Sequence, residues 1–235
     1  MIGERSVALD DSVIVCDSKD LPSRAAERIA HELTRAIIER GHASLALAGG
    51  TTPKATYESL AGSPLDWSLI DIFFGDERCV PADHADSNYR MAKAALFDRI
   101  MIPSERVHRM QGELSDRDAA ARSYAAQLPE RLDVVVLGIG EDAHTASLFP
   151  GAAALREETR LVLPVTGPKP PPERLSVTPP VLRAARLCVV LGSGAGKAEP
   201  VRRAFQDPLD VVAVPIQLAR DGVWFLDAAA ASALG

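Results

Sequence analysis

Asp142 and His144 stand one residue apart in a loop that follows the apolar run Asp133-Val134-Val135-Val136-Leu137. The run reads as a buried strand, which leads through Gly138-Ile139-Gly140 into Glu141, Asp142 and then the histidine. Imidazole is the side chain whose unperturbed pKa suits proton transfer near neutrality. In open α/β sheets, ligands bind outside the carboxyl ends of the strands, and His144 falls at such an end. A lone histidine is more often a satisfied core or surface residue. The neighbouring Asp142, the strand-end position and two anion-ready turns weigh toward catalysis.

The first of those turns is Leu47-Ala48-Gly49-Gly50-Thr51-Thr52-Pro53-Lys54, a strand, a glycine turn and a helix start. Thr52 is expected as N-cap with Pro53 at the first helical position. Free N–H groups at a helix N-terminus, with threonine hydroxyls, suit a phosphate. The plainer reading is a tight strand-to-helix turn. The second is Gly192-Ser193-Gly194-Ala195-Gly196-Lys197. It is not a P-loop, because Leu191 and Ala198 stand where that motif needs glycine and Ser/Thr. It still offers amides and one lysine to an anion. Gly138-Ile139-Gly140-Glu141-Asp142-Ala143 formally matches a dinucleotide fingerprint. Glu141 and Asp142 would face the pyrophosphate, and Glu157 and Glu158 come too early for the ribose acid, so that reading is rejected.

Phe74-Gly75-Asp76-Glu77-Arg78-Cys79 follows another strand and places three charges at the ligand-binding edge. Arg78 can meet a phosphate or polarise a carbonyl; the alternative is a solvated loop with a weak local salt bridge. Cys79 has no identifiable base and is set aside as a nucleophile. Ser87-Asn88-Tyr89-Arg90 reads first as an N-capped helix start, with Ser87 or Asn88 able to face a substrate instead. His31, His42, His84 and His108 lack metal-ligand spacing.

These residues need a frame. Strands are expected at Ser12–Cys16, Ser44–Ala48, Leu69–Phe74, Asp133–Leu137, Leu161–Val165, Leu175–Val177, Leu187–Leu191 and Trp224–Leu226. Helices are expected over Pro22–Arg40, from Thr52, from Ser87 to about Arg99, from Ser115 to about Gln127, and over Gly196–Phe205. Gly167–Pro172 reads as a loop, and Ala228–Gly235 as a frayed tail. Alternating strands and helices predict a three-layer α/β/α sandwich, Rossmann-like, around a mainly parallel sheet. No internal repeat or linker divides the 235 residues, so one domain over 1–235 is expected.

A net charge of −6 without a Lys/Arg run disfavours nucleic acid. Three scattered cysteines, with no Cys-x-x-Cys, suggest reduced thiols in a cytoplasmic protein. Met1–Arg5 lacks the basic start of a signal peptide, and no apolar run reaches membrane-spanning length. No surface stripe demands a partner, so a monomer is expected, or at most a weak homodimer.

The blocks Gly49-Gly50-Thr51-Thr52-Pro53, Gly75-Asp76-Glu77-Arg78-Cys79-Val80-Pro81 with Ser87-Asn88-Tyr89-Arg90, and His144-Thr145-Ala146-Ser147-Leu148-Phe149-Pro150 resemble the 6-phosphogluconolactonases, in the family's order. With Arg174-Leu175-Ser176 and the Lys197 turn, the resemblance covers nearly the whole chain. It implies hydrolysis of 6-phospho-D-glucono-1,5-lactone to 6-phospho-D-gluconate in the pentose phosphate pathway. It also implies the fold shared with glucosamine-6-phosphate deaminase, with no metal or organic cofactor. The family usually has Asp-Gly-His where this chain has Asp142-Ala143-His144. If that backbone needs positive φ, alanine costs roughly 1 kcal/mol or more there.

The resemblance implies these roles. Gly49, Gly50, Thr51, Thr52 and Lys197 hold the phosphate, with Arg174, and Asn88 faces the substrate. His144 acts as general base on water, Arg78 stabilises the oxyanion, and Asp76 or Asp142 orients the imidazole. Two rivals are weighed. In amino-sugar-phosphate isomerase/deaminases the corresponding segment resembles His-Ile-Ala-Phe-Asn-Glu-Pro, and Phe149 here occupies the glutamate position. A sugar-phosphate sensor needs an output module, and no helix-turn-helix or basic reading surface is seen.

Overall fold

The computed structural model describes residues 12–235. Along the chain run β1 (Val13–Cys16), α1 (Leu21–Arg40), β2 (Ala43–Leu47), α2 (Thr51–Leu60), β3 (Ile70–Phe74) and β4 (Asp76–Arg78). There follow α3 (Asn88–Ala95), α4 (Arg117–Ala125), β5 (Val134–Gly138), β6 (Val162–Thr166) and β7 (Glu173–Val177). The chain ends with α5 (Pro179–Ala184), β8 (Leu187–Gly192), α6 (Ala198–Gln206) and β9 (Val223–Asp227).

Six strands form one sheet in the order β1-β9-β8-β5-β2-β3, and every pairing in it is parallel. A parallel sheet needs crossovers that cover both faces, and its strands are apolar on both. Along β5, Val134 and Val136 join the core with Leu33 of α1 and Tyr57 of α2. Val135 and Leu137 point the other way, to Tyr124 of α4, Val201 of α6 and Leu175 of β7. This alternation makes the three layers. The expected mainly parallel α/β/α architecture is what the chain adopts.

The third layer holds a feature the local pattern hides. β4, β7 and β6 form a separate antiparallel sheet. Asp76, Glu77 and Arg78, expected as a loop, pair with Ser176, Leu175 and Arg174. The expected strands near 161–165 and 175–177 are its hairpin, not members of the main sheet. Gly75 is the joint between sheets: its N–H donates to the Leu47 carbonyl at 2.9 Å, and its carbonyl accepts from Val177 N–H at 2.9 Å.

Three local expectations are corrected. Gly50, at φ 112°, is the residue preceding α2, so the helix starts two residues early, at Thr51 rather than Pro53, and Thr52 is no N-cap. Thr52 instead accepts, through its carbonyl, the Thr56 hydroxyl. Asp116 rather than Ser115 caps α4, accepting from Ala119 N–H at 2.8 Å. The tail is tied down: Ala230 is buried, and its N–H donates to Asp227 at 2.8 Å. Gly41, at φ 78°, stops α1 as expected.

Candidate active site

Two buried tyrosines hold the strand ends that build the site. The Tyr57 hydroxyl accepts from Ala48 N–H at 2.8 Å and donates to the Ala48 carbonyl at 3.0 Å. The Tyr124 hydroxyl does the same at Phe74, at 2.6 and 3.0 Å. Each satisfies a backbone pair that the end of a strand would leave open.

A cleft of ≈ 260 Å³ opens beyond these carboxyl ends. Gly49 and Gly50 line it after β2, and Asp76 and Arg78 after β3. Asn88 contributes from α3, His144 from the loop after β5, Arg174 from β7 and Lys197 from the turn after β8. Eight residues from six segments of the chain thus meet, with Asp142 behind them. Thr51 and Thr52 do not line the cleft with side chains; they form the first turn of α2, whose early N–H groups lack intrahelical partners. A second cleft of ≈ 250 Å³ lies at the opposite, amino ends of the strands. There Arg40 and Arg186 are both engaged by Asp133, at 2.8 and 3.2 Å.

The histidine loop settles which carboxylate faces the imidazole. Asp142 Oδ1 lies 2.5 Å from His144 Nδ1 and accepts the His144 backbone N–H at 3.1 Å. A carboxylate partner requires Nδ1 to carry the proton, which leaves Nε2 as the ring's lone-pair nitrogen. Burial raises the Asp142 carboxyl, but the bonds from His144 outweigh it and hold the group below its ordinary value. Gly140 is glycine because of this ring: a Cβ there would lie 2.0 Å from His144 Nδ1. Ala143 does take the left-handed conformation, at φ 69°, and Ala146 follows at φ 48°. Backbone bonds secure the first: Ala143 N–H donates to Gly140 and its carbonyl accepts from Ile216 N–H, each at 3.0 Å.

Asp76 has a different task. Its Oδ2 accepts the Ser147 hydroxyl at 2.6 Å, and its Oδ1 the Asn88 amide at 3.1 Å. Arg174 stands 3.9 Å away. One buried carboxylate therefore joins the histidine loop, α3 and the small sheet. Arg174 lies over the Phe149 ring at 5.7 Å, and Phe149 packs against His144 at 4.7 Å between centroids. Burial lowers the Arg174 guanidinium, an effect that Asp76 opposes.

Glu77 is buried and faces away from the cleft. Its oxygens accept the Asn88 and Tyr89 N–H groups, both at 2.8 Å, at the start of α3. Burial raises its carboxyl, and those backbone bonds pull the other way. Ser87 caps the same helix as expected, accepting from Arg90 N–H at 3.1 Å. Arg78 donates to the Asp86 carbonyl at 2.7 Å, while its Nε and the Asn88 Oδ1 have no partner. Burial pushes the Cys79 thiol up, away from thiolate chemistry.

Sequence reasoning passed over Lys169, Glu141 and Ser147. Lys169 and Glu141 line the cleft; a lysine in a proline-rich loop carries no local signal for this. Ser147 lies inside the histidine block, yet nothing nearby marks Asp76, 71 residues earlier, as its partner. Among the described residues, no group of three or more His, Cys, Asp or Glu is placed to hold a metal ion, and no helix is long and apolar enough to cross a membrane.

Fold and cleft together define a parallel α/β protein with an acid-oriented histidine and several cations at its strand ends. The chain belongs to the family described as glucosamine-6-phosphate isomerases/6-phosphogluconolactonase, which it matches over residues 16–225. A 6-phosphogluconolactonase of Synechocystis sp. is 37% identical over 91% of this chain and 94% of its own. One of Streptomyces coelicolor is 39% identical, over 94% of each. The solved 6-phosphogluconolactonase structure from Trypanosoma brucei aligns with a TM-score of 0.84 at 29% identity, covering 95% of this chain and 98% of that one.

Proposed function

We propose that this member of the family is a 6-phosphogluconolactonase, hydrolysing 6-phospho-D-glucono-1,5-lactone to 6-phospho-D-gluconate with His144 as general base. The observation that carries the mechanism is the Asp142–His144 contact at 2.5 Å beside the cleft. It selects the tautomer whose free Nε2 accepts a proton.

Nε2 takes a proton from water as the water oxygen bonds to C1 of the lactone. The carbonyl electrons move onto oxygen, giving a tetrahedral oxyanion within reach of the Arg78 and Arg174 cations. The carbonyl re-forms, the C1 to ring-oxygen bond breaks, and the imidazolium returns its proton to the ring oxygen. The resulting acid ionises to the gluconate. Proton transfer of this kind supplies about 10²–10⁴-fold. The phosphate sits at the open first turn of α2 and at Lys197, fixing C1 against His144 by remote binding energy.

Phe149 beside the imidazole supports the lactonase over the deaminase, since a histidine–glutamate pair has no counterpart here. The test is lactone hydrolysis, with glucose-6-phosphate dehydrogenase supplying substrate and 6-phosphogluconate dehydrogenase reporting product. Wild type should accelerate hydrolysis strongly, and His144→Gln should lose about 10²-fold or more while still binding product. Near-normal turnover by the variant overturns the assignment. We further propose that the enzyme is a cytoplasmic monomer, which light scattering after gel filtration tests directly for the oligomeric part.

A further inference from the structure

A buried carboxylate that the mechanism does not use stands beside the turn that carries Lys197. Asp227 closes β9, is 6% exposed, and stands where β9 runs beside β8. Its Oδ2 accepts the Ser193 hydroxyl at 2.5 Å. The Gly194 N–H donates to both oxygens, at 2.9 and 3.1 Å. From the other side, Ala230 N–H donates to Oδ1 at 2.8 Å. One side chain thus ties the turn that carries Lys197 to the last turn of the chain. Burial raises the Asp227 carboxyl, and the bonds from Ser193, Ala230 and Gly194 outweigh it and hold the group below the ordinary range.

The turn needs an external anchor. Gly194 takes φ 92°, ψ 154°, a backbone open essentially to glycine. Gly50 has a similar geometry, φ 112°, ψ 169°, at the other anion-ready turn. There a neutral hydroxyl, Tyr57, holds Ala48, two residues before Gly50. At Gly194 the carboxylate consumes the N–H itself, and Lys197 N–H is turned inward to the Gly194 carbonyl at 3.0 Å. What this turn presents to the cleft is therefore the Lys197 ammonium, which makes no ion pair among the described residues.

We infer that Asp227 is a positioning residue for phosphate recognition: it holds the 193–197 turn so that Lys197 is presented to the substrate phosphate. This rests on the assignment of Lys197 to the phosphate. Asp227 touches no reacting atom, so it acts on substrate preference and KM rather than on the chemical step.

The experiment compares phosphorylated with unphosphorylated gluconolactone for wild type, Lys197→Ala, Asp227→Ala and the double variant. Lys197→Ala should lower the preference for the phosphorylated lactone about 10–100-fold, the range for a charged hydrogen bond. Asp227→Ala should lower that preference in the same direction, chiefly through KM, and should add little in the Lys197→Ala background. Ser193→Ala, a milder lesion of the same anchor, should give a smaller shift of the same sign and keeps the test open should Asp227→Ala not fold. Equal loss on both lactones, or full additivity with Lys197→Ala, overturns the inference. An unchanged preference in Lys197→Ala itself overturns the phosphate assignment and the inference with it.

Discussion

Replacing Ala143 by glycine tests whether the strained histidine loop is understood. Ala143 sits at φ 69° with its methyl fully buried. Glycine relieves a left-handed strain of about 1–2 kcal/mol. It also removes a buried methyl worth about 0.8 kcal/mol and frees the unfolded chain by about 0.4–1 kcal/mol. The opposing effects nearly cancel, so Ala143→Gly should change stability by less than about 1 kcal/mol and Tm by less than about 4 °C for a chain of this size. Ala143→Val meets both problems at once. A β-branched residue at positive φ is a genuine outlier, and overpacking adds about 1–3 kcal/mol. It should lose about 2 kcal/mol or more, roughly 1 from the low end of the overpacking range and roughly 1 from added left-handed strain. Urea unfolding of the three proteins, monitored by tryptophan fluorescence, measures both differences. Lactonase activity of Ala143→Gly should stay near wild type, because backbone bonds from Gly140 and Ile216 define the turn. A stabilisation beyond about 2 kcal/mol in Ala143→Gly would show that the buried methyl contributes nothing, and the reasoning would be wrong.

Asp142→Asn should lower kcat by about 10²–10⁴-fold, because an amide no longer selects the Nδ1–H tautomer; a change under threefold would refute the orienting role. Since the Asp142 carboxyl is held below its ordinary value, its contribution to stability is fully present above about pH 4 and is lost as pH falls through the folded pKa. Acid unfolding of Asp142→Asn should accordingly be less steep than wild type below that pH. In Gly140→Ala the new Cβ meets His144 Nδ1 at 2.0 Å, so turnover should fall toward the His144→Gln level while the circular dichroism spectrum is kept. Ser147→Ala removes a 2.6 Å bond to Asp76 and should cost about 1–3 kcal/mol in chemical denaturation, with reduced kcat as the histidine loop loosens.

Much of this was legible in the residues themselves. β5 and β8 are apolar on both faces and read as near-continuous apolar runs, which β2 and β3 interrupt only at Ser44 and Asp71. The helix α1 shows its buried face at Leu21, Ala25, Ile29, Leu33 and Ala36 and ends at Gly41. The glycine turns and the histidine loop follow from where those strands stop. β4 was not legible, because Asp76, Glu77 and Arg78 look like a solvated loop until Glu173–Val177 supplies the pairing strand. Nor was the fastening of the last residues, since a run of small side chains gives no hint that Asp227 binds it.

The sequence by itself determined the layered α/β architecture, the strand-end position of His144 and the family to which the motifs point. Those follow from local periodicity and from short blocks whose residues act near one another in the chain. The tertiary structure alone decided the division of labour among the acids: Asp142 on the imidazole, Asp76 on Ser147 and Asn88, Glu77 on the start of α3, and Asp227 on the Lys197 turn. A carboxylate's role depends on which donors the fold brings close to it: Asp142 finds His144 two residues away, and Asp227 finds Ala230 three residues away, but Ser147 on Asp76, Asn88 on Glu77 and Ser193 on Asp227 come from segments that only the fold brings alongside.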